Sequence, residues 1–262
     1  MMSEFLMYSQ PAEMAGRGYC PACGREHSFS GQAAQAEALA LMRALAGQKR
    51  VDLLAAESEA DPRLGTEYLF GEARGQMFGV MVCRDAAGRR QVLRAFSCQY
   101  NGVWTVDGWV PPLFDVREFE ALTGETERRI KELGAEIAGG AAPAAVIEEK
   151  RRERKRLSQR LMREIHGLYR LHNFRGETRS LAAAFIGPGG LPTGSGDCCA
   201  PKLLNYAARN NLIPLGIAEF YWGRENRAGT RQHGRFYGAC AEKCAPILGF
   251  LLCGLKERQE GA

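Results

Sequence analysis

The cysteines constrain this chain more than any other feature. Nine are present, and six form close pairs far apart in the sequence: Cys20 with Cys23, Cys198 with Cys199, and Cys240 with Cys244. A fold that uses such thiols together must gather distant segments at helix starts or tight turns. The first residues, "MMSEFLMYSQPAEMAGRGYC", lack a basic stretch followed by a long apolar one. No secretory leader is read there, and a cytoplasmic protein with reduced cysteines is expected. In that setting paired cysteines favour metal or catalytic roles over disulfides. Cys83, Cys98 and Cys253 are expected instead to be small buried hydrophobes.

At 262 residues, 45% hydrophobic and 25% charged, the chain can bury a sizeable core. A net charge of +5 is compatible with a nucleic-acid partner without demanding one. No uncharged apolar run is long enough to span a membrane.

Four regions separate. Residues 1–60 hold the CxxC segment and a helix, "QAAQAEALALMRALAGQ". Residues 61–116 hold a β-hairpin, "QMFGVMVCRD" and "RQVLRAFSCQY" joined through Gly88. Residues 117–176 hold two helical stretches broken by "AGGAAPAA", with Ile130, Leu133 and Ile137 facing Leu157, Leu161, Ile165 and Leu168. These predict an antiparallel helical hairpin or short coiled coil. Residues 177–262 are a cysteine-rich α/β part.

Within the second helical stretch, "KRRERKRLSQRLMR" contains Lys150, Arg151, Arg152, Arg154, Lys155 and Arg156. These residues are candidates for phosphate-backbone contact, which is salt-sensitive and sequence-independent. The alternative is a solvated face partly paired with Glu148 and Glu149.

The N-terminal Cys20 and Cys23 have the spacing of half a zinc ribbon, and His27 is a candidate third ligand. Cys98 or Cys83 would complete that set across space. An empty surface turn and a redox pair are the competing readings.

Near the C-terminus, Asp197 is a candidate N-cap for a helix starting at Cys198 to Ala200 and ending at Asn210-Asn211. The helix start favours thiolate at Cys198 or Cys199. The strand "LIPLGIAEFYW" follows. Period-two alternation puts Ile213, Leu215, Ile217 and Glu219 on one face. Either Glu219 has a partner, or the strand emerges into solvent there. Pro246 predicts a last helix beginning near Cys244 or Ala245. Cys199, Cys240 and Cys244, with Cys198 and His233 as further candidates, are expected to converge on zinc. Packed thiols without metal are the alternative.

The order hairpin, cysteine-started helix, strand, helix with a cysteine pair resembles the core of zinc-dependent nucleobase deaminases. In that family the first helix bears [HC]-A-E and the second P-C-x-x-C. By position, Cys199-Ala200-Pro201 stands at the first motif and Cys240 to Cys244 at the second. Pro201 stands where the family has its proton-shuttling glutamate, and the pair is CxxxC. The resemblance implies an α+β fold with a deaminase-like core and an inserted antiparallel helical hairpin.

The phrases "GQMFGVMVCRD", "WVPPLFD", "GSGDCCAPKLLNYA", "IPLGIAEFYWG" and "HGRFYGACAEKCAPILG" are similar to the N-terminal accessory region of long RluA-type pseudouridine synthases. This similarity covers about residues 65–255. The synthase's own H-R-L-D-type motif is absent from the sequence. The resemblance implies association with RNA modification, on tRNA or rRNA.

Three functions follow as expectations. The first is a zinc-containing, deaminase-like hydrolase, with Asp197 or Glu219 moving protons and Tyr221 or Trp222 stacking a base. The second is a non-catalytic RNA-binding or scaffolding module with structural zinc. The third is a small-molecule enzyme with Cys199 as nucleophile and His233 as base.

Overall fold

The computed structural model describes residues 16–140 and 142–261. The expectation that no leader is present falls on residues 1–15 and lies outside them. In chain order the elements are β1 (Gly16–Cys20), β2 (Arg25–Phe29), α1 (Gln35–Gln48), β3 (Gln76–Arg84), β4 (Arg90–Phe96), α2 (Val116–Gly139) and α3 (Ala144–Leu168). There follow β5 (Arg170–His172), β6 (Thr178–Ser180), α4 (Leu181–Ala184), α5 (Cys199–Arg209), β7 (Ile213–Trp222), β8 (Phe236–Tyr237), α6 (Ala245–Leu251) and α7 (Leu255–Glu260).

The hairpin β3–β4 turns at Gly88, whose φ of 76° is open to glycine. Asp85 caps the turn by accepting from the amides of Ala87 and Arg89. The central sheet has the order β4-β3-β7-β8, and every pairing in it is antiparallel. With helices packed on both faces, the fold is α+β.

Alternation along the strands sends side chains to two separate cores. On one face Phe78, Val80, Val82, Phe96, Ala218, Phe220 and Trp222 pack with Ala38, Leu41, Met42 and Leu45 of α1. Phe78 and Phe220 stack there at 5.8 Å. On the other face Met81, Cys83, Ala95 and Ile217 meet Leu203, Leu204 and Ala207 of α5 and Ile247, Leu248 and Leu251 of α6. Each fully buried side chain of this size contributes about 1.5–3 kcal/mol.

The alternation breaks once. Gly216 pairs with Val82 and Pro214 with Cys83, so Leu215 is a bulged residue without a partner on β3. The bulge corrects the expected face. Leu215 packs into the α1 core, whereas Ile217 and Glu219 face α5.

The inserted hairpin is antiparallel. Arg129 pairs with Glu153 and Lys150 with Glu136 across it, and Leu133 and Leu161 are buried in its seam. Asp115 starts α2 by accepting from the amides of Arg117 and Glu118. Gly140 ends it at φ 62°.

Candidate metal centre

Two groups of metal-competent side chains form among the described residues. The first joins Cys198, Cys240 and Cys244, whose sulfur atoms all lie within 4.8 Å of one another. Cys240 and Cys244 sit on one helical turn leading into α6, because the amides of Cys244 and Ala245 both donate to the Cys240 carbonyl. Four residues apart on such a turn, their thiols share a side and lie 3.3 Å apart. Cys198 comes from across the core as the N-cap of α5, in extended conformation.

The expected ligand Cys199 is not part of this group. It is the first residue of α5 proper, fully buried against β3, and its thiol donates to the Met77 carbonyl at 3.3 Å. Cys198 still has extended backbone, whereas Cys199 is already helical, so the two side chains leave the chain in different directions. That divergence sends Cys198 to the pair and Cys199 into the sheet. Burial pushes the Cys199 thiol well above its ordinary pKa, so it is a poor nucleophile. The hydrogen bonds of Cys198 and Cys244 hold the Cys240 thiol far below the usual range. The Cys240 contact pushes Cys198 up, with the Cys244 contact opposing, and the contacts of Cys198 and Cys240 push Cys244 up.

Glu219 does not emerge into solvent. It is 5% exposed, and its Oε1 accepts from the Ala200 amide at 2.9 Å. The partner is therefore the free end of α5, where the helix dipole favours negative charge. Burial raises the Glu219 carboxyl to about 7, against the opposing pull of the Ala200 amide; Cys240 raises it further. Its β3 partner is Gly79. A Cβ on Gly79 would lie 2.6 Å from the Cys199 Cβ, so only glycine lets α5 settle this close to Glu219.

Asp197 is not the N-cap. Its Oδ1 accepts from the Tyr169 hydroxyl at 2.7 Å, and α5 has no side-chain cap. Burial raises its carboxyl, with the Tyr169 bond opposing. His233 lies apart from the thiols. Its Nδ1 accepts from the Gly223 amide, and its ring packs on Trp222 at 4.2 Å and Phe70 at 5.2 Å. The pairing of Cys199 with His233 is thereby lost. Tyr221 and Trp222 are also unsuited to stacking a base. Tyr221 is buried with its hydroxyl on the Arg224 carbonyl, and Trp222 belongs to the α1 core.

The aromatic residue beside the carboxylate is Tyr237, paired in register with Glu219 and half-buried. The Arg231 guanidinium lies 4.3 Å over its ring. Sequence reasoning missed both because they sit on a loop and a two-residue strand without periodicity. It also missed Lys202, which is 1% exposed and donates to the carbonyls of Phe96 and Cys98 at 2.9 and 2.8 Å.

The second group is Cys20, Cys23, His27 and Cys253, again with all donor atoms within 4.8 Å of one another. Cys20 ends β1, Cys23 lies in the turn and His27 on β2; Gly24, at φ 68°, closes the turn by donating to the Cys20 carbonyl. The fourth member corrects the expectation. Cys253, read as a buried hydrophobe, joins this group. Cys83 stays in the sheet near the Gln91 carbonyl, and Cys98 is exposed. Burial lowers the His27 pKa, favouring the neutral imidazole that a metal requires.

On α3, Arg151, Arg152, Arg154, Lys155 and Arg156 are exposed, whereas Lys150 is half-buried on Glu136. Glu148 lies within 3.7–3.9 Å of Arg151 and Arg152. Arg154, Lys155 and Arg156 have no carboxylate at ion-pair distance among the described residues. No described helix is long and apolar enough to cross a membrane. Comparisons with protein-family models, with curated proteins and with solved structures find no match.

Proposed function

We propose that this protein is a zinc-dependent, deaminase-like hydrolase that acts on a nucleobase in RNA. The observation that carries the reading is the convergence of three thiols, with the buried Glu219 held on an amide in the first turn of the helix that Cys198 caps. In the deaminase motif the proton-shuttling glutamate stands two residues after the first ligand on the helix. Two residues after Cys198 is Ala200, and Glu219 holds the amide of that residue. On this reading the carboxylate would take the family's position from β7 instead of from α5. The order of elements supports the same reading: hairpin β3–β4, helix α5 opened by a thiol, strand β7 beside β3, then the thiol pair entering α6.

The donor set fits zinc. Three protein ligands with a fourth position free are the pattern of hydrolytic zinc sites, and an all-cysteine set is one of the deaminase variants. Cys198 and Cys240 are only half-buried, which leaves approach to the centre. A zinc ion bound there supplies Lewis acidity. The Glu219 oxygen not engaged by Ala200 would take a proton from water and deliver it to the departing amine. The net change consumes one water, replaces an exocyclic amine by a carbonyl oxygen and releases ammonia. Tyr237, with Arg231 over its ring, offers a stacking surface on the Glu219 face. Arg151, Arg152, Arg154, Lys155 and Arg156 present a face for the phosphate backbone. The phrases similar to the pseudouridine-synthase accessory region favour RNA over a free nucleoside.

The test is ammonia release from cytosine- and adenine-containing RNA oligonucleotides by zinc-loaded protein. Glu219→Gln should keep its zinc and lose about 10²–10⁴-fold in rate. Charge removal at the five basic residues should weaken RNA binding and flatten its salt dependence; unchanged binding would remove RNA from the reading. One observation favours the second function, a non-catalytic RNA-binding module with structural zinc: one Glu219 oxygen is already spent on a backbone amide. Zinc bound without any amine release from either base would select it.

A further inference from the structure

We propose that Cys20, Cys23, His27 and Cys253 form a closed structural zinc site that clamps the N-terminal hairpin onto the far end of α6. The assignment rests on donor chemistry, geometry and packing.

Three thiols and one imidazole are a complete tetrahedral set. With bonds of about 2.0–2.3 Å, such ligands stand roughly 3.3–3.8 Å apart. All four donor atoms lie within 4.8 Å of one another, and Cys23 Sγ lies 3.1 Å from His27 Nε2. Small shifts therefore suffice for closure. The turn from Cys20 to Gly24 bends the chain so that both hairpin thiols face one point, as a short zinc-binding loop requires. No carboxylate belongs to the group. With four protein ligands filling the tetrahedral set, no position is left for water or substrate, and the site would hold metal without chemistry.

What the clamp secures is visible in the packing. β1 crosses α6 at two glycines. A Cβ on Gly249 would collide with the Tyr19 backbone, and a Cβ on Gly18 would collide with the backbone at Gly249. This backbone-on-backbone contact brings few side chains to bury. β1 and β2 pair only with each other and join no larger sheet. A hairpin of two five-residue strands is marginal by itself. Phe29 anchors the base of the hairpin in the core, and a metal bridging Cys20, Cys23 and His27 to Cys253 would attach its turn.

The clamp also reaches the first thiol group. The seven-residue helix α6 has Cys244 as its N-cap, and Cys253 follows just past its other end. One ligand of each group is therefore carried by the same short rigid segment. Holding Cys253 fixes the helix, and the helix fixes Cys244.

The experiment is zinc content by mass spectrometry on the full chain, in wild type and in two variant families. Cys23→Ser and Cys253→Ser remove ligands of the proposed clamp; Cys198→Ser and Cys240→Ser remove ligands of the other site. His27→Cys is the conservative variant, which keeps a four-donor set and should retain metal. The expected result is loss of one zinc equivalent in each clamp variant and retention in His27→Cys. Hydrogen exchange over residues 16–29 should accelerate at least tenfold in Cys253→Ser, and the remaining zinc should pass faster to a chelator. Cobalt substitution should give an intense tetrahedral thiolate spectrum, and in Cys198→Ser, which lacks the other site, the remaining spectrum should be lost when Cys253→Ser is added. If wild type holds a single zinc that only the clamp variants remove, this inference stands and the hydrolase reading fails. If the clamp variants keep the full zinc content, or if two of Cys20, Cys23 and Cys253 are found joined in a disulfide, the inference is overturned.

Discussion

Gly79→Ala adds one methyl group where β3 passes beneath the start of α5. The new Cβ would lie 2.6 Å from Cys199 Cβ and 3.2 Å from Leu203 Cδ1. Leu203 can swing a terminal methyl aside. Cys199 Cβ cannot move without its helix, and ordinary contact begins at 3.4 Å. Relief therefore needs the first turn of α5 to rise by roughly 1 Å, against close interior packing. Overpacking of this kind costs about 1–3 kcal/mol. Alanine in a strand recovers about 0.5–1 kcal/mol of backbone entropy. The net loss is about 1–2 kcal/mol, or roughly 2–8 °C in Tm for a chain of this size. The same rise carries Cys198 away from Cys240 and Cys244 and the Ala200 amide away from Glu219. Zinc affinity at that site should fall about tenfold or more. The assay is thermal denaturation by circular dichroism, paired with zinc competition against a chromophoric chelator. Gly124→Ala in α2, where nothing lies within 4 Å, is the control of opposite sign. It should stabilise by about 0.5–1 kcal/mol. An unchanged Tm and intact zinc affinity in Gly79→Ala would show that α5 is not seated on this glycine.

Lys202→Met should destabilise by about 2–4 kcal/mol in urea denaturation, because it strands the carbonyls of Phe96 and Cys98 without a donor; a loss below 1 kcal/mol would mean that water reaches them. His166 is buried, its Nε2 has no partner, and burial lowers its pKa below 6.5 despite the nearby Asp197. The unfolded chain then binds the proton more readily, so this stability is complete above pH 6.5 and is lost as pH falls. His166→Leu should therefore lose less Tm than wild type between pH 7 and pH 5; equal slopes would refute it. Leu133→Ala in the α2–α3 seam should speed proteolysis of the helical hairpin, with a local cost of about 2–5 kcal/mol, while zinc content stays unchanged.

The elements were legible where a local pattern and its punctuation agreed. Alternation around Gly88 marks the β3–β4 hairpin. The leucine stripes and the break near Gly140 mark α2 and α3. Pro201 and Pro246 mark the starts of α5 and α6. Even the candidate thiols and Glu219 stand out, because cysteines at helix starts and an acid on an apolar strand violate the surrounding pattern.

What the sequence determined by itself, then, was which segments become helix or strand and which residues are chemically out of place. Only the tertiary structure decided who meets whom. The change from extended to helical backbone at the start of α5 separates Cys198 at the thiol group from Cys199 in the sheet. A bulge at Leu215 resets the strand's faces, and the other face claims Trp222. Cys253 reaches Cys20 across more than 200 residues of chain because β1 can lie against α6 only at Gly18 and Gly249. Propensity and periodicity act over one or two turns of chain. Ligand sets are assembled by packing between segments, which no local pattern encodes.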